Sequence, residues 1–243
     1  MKSKMIRNYC ITGGLLVLFF VWTMLVCVVD LQPIGPEGSI VGLASMNDWF
    51  HQLTGENLEF YELTDFLSIV PFLIIFVFAV MGAIQLITRK SLAKVDSDII
   101  ALGAFYLVVL ACYGLFEVLV VNYRPIFIEG KLEASYPSST TMLAVTVFIS
   151  AALQVKERVK GKIAQTALLA ALLMFTVFMV LSRLLSGVHW LSDIIGGLLL
   201  SGALVMGYAT VLNWLNDKRE AKRMERKKAL QEAMEKALSP DNI

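Results

Sequence analysis

The chain has 243 residues, 57% of them hydrophobic, a mean hydropathy of +0.70 and a formal net charge of +1. A soluble domain of this length needs far more polar surface, and a near-neutral balance excludes bulk charge as the attraction for any partner. Cys10, Cys27 and Cys112 lie at or within apolar runs without CxxC spacing, so they read as small packing residues, not as a disulfide framework or a metal site.

The apolar residues are bunched into six runs long enough to cross a bilayer, at about 10–29, 66–88, 99–121, 140–155, 166–184 and 193–213. The predicted fold is an all-α integral membrane bundle of six helices. The first run follows Lys2, Lys4 and Arg7 and imitates a signal peptide, but Ile11–Val29 is too long for that and no A-x-A site follows, so it reads as a retained span. The connection after it, about 30–65, is acidic and aromatic, with Trp49, Phe50, Phe60 and Tyr61. It reads either as a short interfacial helix capping the bundle or as a plain loop. The fourth run is short unless it starts at Ser138 or Ser139, both good helix caps. Beyond the sixth run, Asn213 to Leu238 reads as a polar helix rich in Lys, Arg and Glu, suited either to anionic headgroups or to plain solvation. Its mixed charges without interleaved aromatics argue against nucleic acid. The organisation is therefore a first helix and loop (1–65), a five-helix core (66–213) and a charged cytoplasmic tail (214–243).

Lysine and arginine set the orientation. Eighteen of the 21 basic residues fall at the N-terminus, in the second and fourth connections and in the tail. Both termini are expected in the cytoplasm of a multi-pass plasma-membrane protein of bacterial type. Only Arg124, Lys131 and Arg183 remain for the outer side.

Two of those three lie in informative patterns. Ser182-Arg183-Leu-Leu-Ser-Gly-Val-His189-Trp-Leu-Ser-Asp193 spans the outer end of the fifth run and the start of the sixth. His189 and Asp193, four apart at a helix start, share a face, so the carboxylate can hold one ring nitrogen while the other attacks. Asn122-Tyr123-Arg124-Pro125 lies past the outer end of the third run, and Tyr136-Pro137-Ser138-Ser139-Thr140-Thr141 starts the fourth. A helix N-terminus with free N–H groups and hydroxyls, joined by two guanidiniums, makes a phosphate cradle. An interfacial histidine with a capping aspartate is the competing explanation of the last motif alone. The basic-residue topology brings all three segments to one face.

The order Arg-Pro, then Pro-Ser, then Ser-Arg-x5-His-x3-Asp resembles the type 2 phosphatidic acid phosphatase family, kin to the vanadium haloperoxidases, over most of residues 60–213. The resemblance implies a membrane lipid phosphate phosphatase that works without metal or cofactor. It implies His189 as the nucleophile that forms a phosphohistidine, with Asp193 orienting it. Arg124 and Arg183 would bind the phosphoryl oxygens, and Ser138, Ser139 and Thr140 would complete the cradle.

Two positions depart from the family pattern. Glu117 stands where the first motif has Lys, and Thr140 stands where the second has the His that protonates the leaving group. The other histidine, His51, lies in the first outer loop. A lipid alkoxide needs a proton to leave, and a general acid is typically worth about 10²–10⁴-fold. A phosphate leaving from a diphosphate needs less help, so a polyprenyl diphosphate, undecaprenyl diphosphate above all, suits this site better than phosphatidic acid. Glu117 either pairs with Arg124 or Arg183, or stays protonated and supplies the missing acid; Lys131 is placed to replace the lost positive charge. A phosphotransferase, or a relative that binds lipid phosphate without turnover, carries the same motifs. A transporter finds no broken-helix repeat in support.

Overall fold

The computed structural model describes residues 2–237; residue 1 and residues 238–243 fall outside them. Among the described residues there are eight α-helices, α1 (Lys2–Val28), α2 (Ala44–Thr54), α3 (Leu58–Leu67), α4 (Ile69–Arg89), α5 (Ser97–Val118), α6 (Ser139–Arg158), α7 (Lys162–Leu185) and α8 (Leu191–Ala237), with two short 3-10 turns at Pro36–Gly38 and Leu92–Lys94. Six helical segments are long and apolar enough to cross a membrane, and they coincide with the six expected runs. The first connection is neither a plain loop nor one helix: it holds α2 and α3. α3 leads almost straight into α4, with a break at Ser68. Pro71 explains the break, because it cannot donate to the Leu67 carbonyl and its ring crowds that group. The tail is helical as expected and is continuous with the sixth span through Ala237, while Leu238 lies outside the described residues.

α6 is the centre of the bundle and packs on α4, α5, α7 and α8, while α1 lies along α8. This explains why α6 spans with a modest apolar content: its faces meet protein and not lipid. Thr146 and Ser150 return their hydroxyls to carbonyls in their own preceding turn, at 2.6 and 3.0 Å. Gln154, fully buried, donates to the Tyr208 hydroxyl at 2.7 Å. α5 contributes Leu102, Phe105, Tyr106 and Val109, a stripe at helical spacing, to the core against α6 and α8.

The chain runs up and down, so successive connections alternate between two ends. One end gathers Arg89, Arg158 and Arg219 around Asp96 and Asp98. The other gathers α2, α3, the segment 119–138 and the turn between α7 and α8. All the motif residues lie at this second end, opposite the basic clusters.

Candidate active site

The segment between α5 and α6 folds back on itself as an irregular hairpin. The Arg124 N–H donates to the Glu133 carbonyl at 3.0 Å, and the Ser135 N–H donates to the Asn122 carbonyl at 2.9 Å. This brings Arg124 beside the first turn of α6. There Ser138 is the cap, its hydroxyl accepting from the Thr141 N–H at 3.4 Å. The cap leaves the Ser139 and Thr140 amides outside the helical ladder. Ser138 is fully buried and donates its own N–H to the Asp193 carbonyl at 3.1 Å. Its job in this arrangement is to hold α6 against α8, and the surface of the cradle falls to Ser139 and Thr140.

Arg183 ends α7 and is 1% exposed. One of its terminal nitrogens donates to the Thr140 hydroxyl at 2.8 Å and to Asp65 at 3.3 Å, and Tyr61 stacks on the guanidinium at 4.9 Å. Its other two nitrogens are buried without partners, as are two nitrogens of Arg124. Arg124 Nε lies 3.1 Å from Glu133, too poorly aligned to count as a hydrogen bond. Buried donors without acceptors are costly unless an anion joins them.

His189 sits in the turn between α7 and α8 with both ring nitrogens buried and unpartnered. Its Nδ1 lies 3.8 Å from Asp193 Oδ2, an ion-pair distance longer than a hydrogen bond. That leaves Nε2 for other work. Burial, then the positive charges of Arg124 and Arg183, hold its pKa well below the ordinary 6.5. It is therefore neutral at physiological pH, as a nucleophile must be. Asp193 is itself clamped: it accepts from the Trp190 N–H at 2.9 Å and from the Asn122 amide at 3.4 Å. The first bond closes the start of α8 as a capping contact.

The surrounding turns fix this geometry. Gly187 adopts φ +71°, and a Cβ there would come within 2.2 Å of the Gly55 carbonyl oxygen, so the α2–α3 turn lies directly against the histidine turn. The Asn57 N–H donates to the Ser186 carbonyl at 3.0 Å across the same contact.

A cavity of about 470 Å³ opens at this end, its wall including Tyr61, Glu117, Arg124, Thr140 and Arg183. Among the described residues, neither arginine pairs with Glu117: Asp65 and Glu133 take those places, against the pairing weighed from the sequence. Glu117 is on the cavity wall nonetheless. Lys131 is exposed at the tip of the hairpin and, like the buried His189, is not on that wall. His51 packs on Trp190 at 5.5 Å, outside the cavity wall. Asp65 and Glu133 are the site neighbours that sequence reasoning missed, while Asn122 and Tyr61 were visible only as members of a pattern and of an aromatic loop, without a role.

The sequence profile of the PAP2 superfamily matches residues 72–217. Among solved structures, the chain is similar to the crystal structure of the first transmembrane PAP2-type phosphatidylglycerolphosphate phosphatase from Bacillus subtilis. The TM-score is 0.54 and the identity 16%, over 84% of this chain and 96% of that one. No curated protein sequence matches the chain.

Proposed function

The chain belongs to the PAP2 superfamily, and from that premise we propose that it hydrolyses a lipid diphosphate, undecaprenyl diphosphate best of all, at the outer leaflet through a phosphohistidine. The observation that carries this reading is the convergence of unpartnered groups. His189 keeps Nε2 buried without a hydrogen-bond partner while Nδ1 faces Asp193, and Arg124 Nη1 with Arg183 Nε and Nη1 are three buried guanidinium nitrogens without acceptors, near the N-terminus of α6.

In the proposed reaction the terminal phosphoryl group enters between Arg124 and Arg183 and displaces Glu133 and Asp65 from them. His189 Nε2 attacks phosphorus, a P–N bond forms and the bridging P–O bond breaks. The lipid monophosphate leaves with the electron pair. Water then attacks the phosphohistidine, inorganic phosphate departs, and His189 is neutral again. The arginines and the Ser139 and Thr140 amides stabilise the charge that develops on the equatorial oxygens.

The preference for a diphosphate rests on Thr140. Its hydroxyl accepts from Arg183 and has no proton of suitable acidity for an alkoxide. Glu117 is exposed on the cavity wall and not engaged by the arginines, which makes it the side chain to test for help to the slower monoester leaving groups. Phosphate release is to be measured from undecaprenyl diphosphate, phosphatidic acid and phosphatidylglycerolphosphate, with His189→Ala as control. The diphosphate is expected to be fastest, and the control inactive on all three. Faster cleavage of phosphatidic acid, or release by the control, would overturn the reading. Glu117→Gln is expected to slow the monoesters more than the diphosphate; equal rates with wild type would remove Glu117 from the scheme.

A further inference from the structure

A second cavity lies at the other end of the bundle and has no part in this chemistry. It is a groove of about 570 Å³ between α4 and α5, within the range of roughly 300–1,000 Å³ usual for ligand sites. Small residues on the two facing helices make the room: Ala79, Gly82 and Ala83 on one, Gly103 and Ala104 on the other. Gly103 is exposed and has nothing within 4 Å of where a Cβ would stand, so this wall is open and not closed by a neighbouring side chain.

The groove's extent identifies its depth in the membrane. It runs along α4 from Leu86 to Ile75, eleven residues, which is about 16 Å of helix. That is about half of a hydrocarbon core of roughly 30 Å, one leaflet. It begins at the basic end, where Leu92 and Val95 of the α4–α5 connection form part of its wall. Lys90 and Lys94, in that same connection, are exposed. The other charges there are already engaged: Arg89 with Asp96, and Asp98 with Arg158 and Arg219.

We propose that this groove is a binding site for an anionic phospholipid of the leaflet at the basic end, one acyl chain in the groove and the phosphate at Lys90 and Lys94. Its headgroup lies at the opposite end from the phosphate cradle, so the lipid is a resident and not the substrate. A zwitterionic lipid fits the groove and brings a phosphate too, but its own ammonium offsets that charge, so the two lysines gain less from it. Near-surface lysines contribute roughly fivefold each to anionic lipid binding, so the pair predicts about twenty-five-fold selectivity.

The test is native mass spectrometry of the full-length, delipidated protein titrated with phosphatidylglycerol or phosphatidylcholine. Wild type is expected to retain the anionic lipid about twenty-five-fold better. Lys90→Ser with Lys94→Ser is expected to abolish the discrimination while leaving chain binding. Gly103→Leu, or Ala104→Leu should the first not fold, is expected to lose both lipids. Equal retention of the two lipids by wild type, or wild-type retention by the folded groove-filled variant, would overturn the proposal. The readout is binding and not turnover, so it stands apart from the catalytic reading.

Discussion

His189 is buried with no hydrogen bond on either ring nitrogen, Asp193 facing Nδ1 at 3.8 Å, and the positive charges of Arg124 and Arg183 act on it against protonation. The depressed pKa has a definite sign. The neutral form persists below pH 6.5, so the acid limb of kcat/KM assigned to this group is expected below 6.5, read after correcting for the substrate's own ionisation by ³¹P NMR. A limb at or above 6.5 that belongs to His189 would contradict the site. The unfolded chain takes up the proton that the fold refuses, so this contribution to stability is present above pH 6.5 and is lost as pH falls from there towards the folded pKa. Wild type is therefore expected to lose more thermal stability than His189→Gln between pH 7 and 5. Thr140 gives a second measurement. Thr140→His returns an acid to the position opposite Arg183, and monoester turnover is expected to rise by up to about 10²-fold, with a smaller gain on the diphosphate. No gain on the monoester would remove the missing acid as the basis of the substrate preference. His189, Asp193, both arginines and Thr140 were legible because they lie in three short patterns of fixed spacing. Asp65 and Glu133 were not: they meet the arginines only through the folding of α3 and of the hairpin, which no local spacing encodes.

At the scale of elements, α2 stands out as a brace for the start of α8. Its Asn47 is fully buried and donates to the Gly42 carbonyl at 2.8 Å and to the Ser192 hydroxyl at 2.9 Å. It also accepts from the Ser192 N–H at 3.0 Å. Trp22 of α1 donates to the Ser192 carbonyl at 3.0 Å from the other side. Ser192 adjoins Asp193, so the brace sets the register of the carboxylate against His189. Asn47→Ala would leave the Ser192 amide and the Gly42 carbonyl buried without that partner, at a cost of about 2–3 kcal/mol. We expect a lower thermal midpoint and a kcat reduced more than KM is raised, measured in detergent on the lead substrate. An unchanged kcat with a lowered midpoint would restrict Asn47 to a structural part. The spans of α1 and α4 to α8 could be read from hydrophobic runs because lipid demands them. The brace could not, since the contact that docks α2 is made by a buried asparagine, and a polar side chain carries no mark in the sequence of the partner it will meet.

At the scale of the whole molecule, charge and chemistry separate to opposite ends. Asp98, 8% exposed, receives Arg158 of α6 and Arg219 of the α8 extension, the latter at 2.6 Å, and so ties three helices at the basic end. The cradle, His189 and the hairpin occupy the other. Basic residues stay on the side from which a membrane protein is inserted. The two arginines at the far end, Arg124 and Arg183, both line the cavity, and Lys131 is exposed there. The expected orientation therefore has the basic end in the cytoplasm and the cavity outside. Lys131 and Lys160 are exposed at opposite ends, which makes them suitable reporters. In a chain with Cys10, Cys27 and Cys112 replaced by serine, Lys131→Cys is expected to react with a membrane-impermeant maleimide in intact cells. Lys160→Cys is expected to react only after permeabilisation. The reverse pattern would turn the site to the cytoplasm and exclude an outer-leaflet substrate, whatever the chemistry at His189.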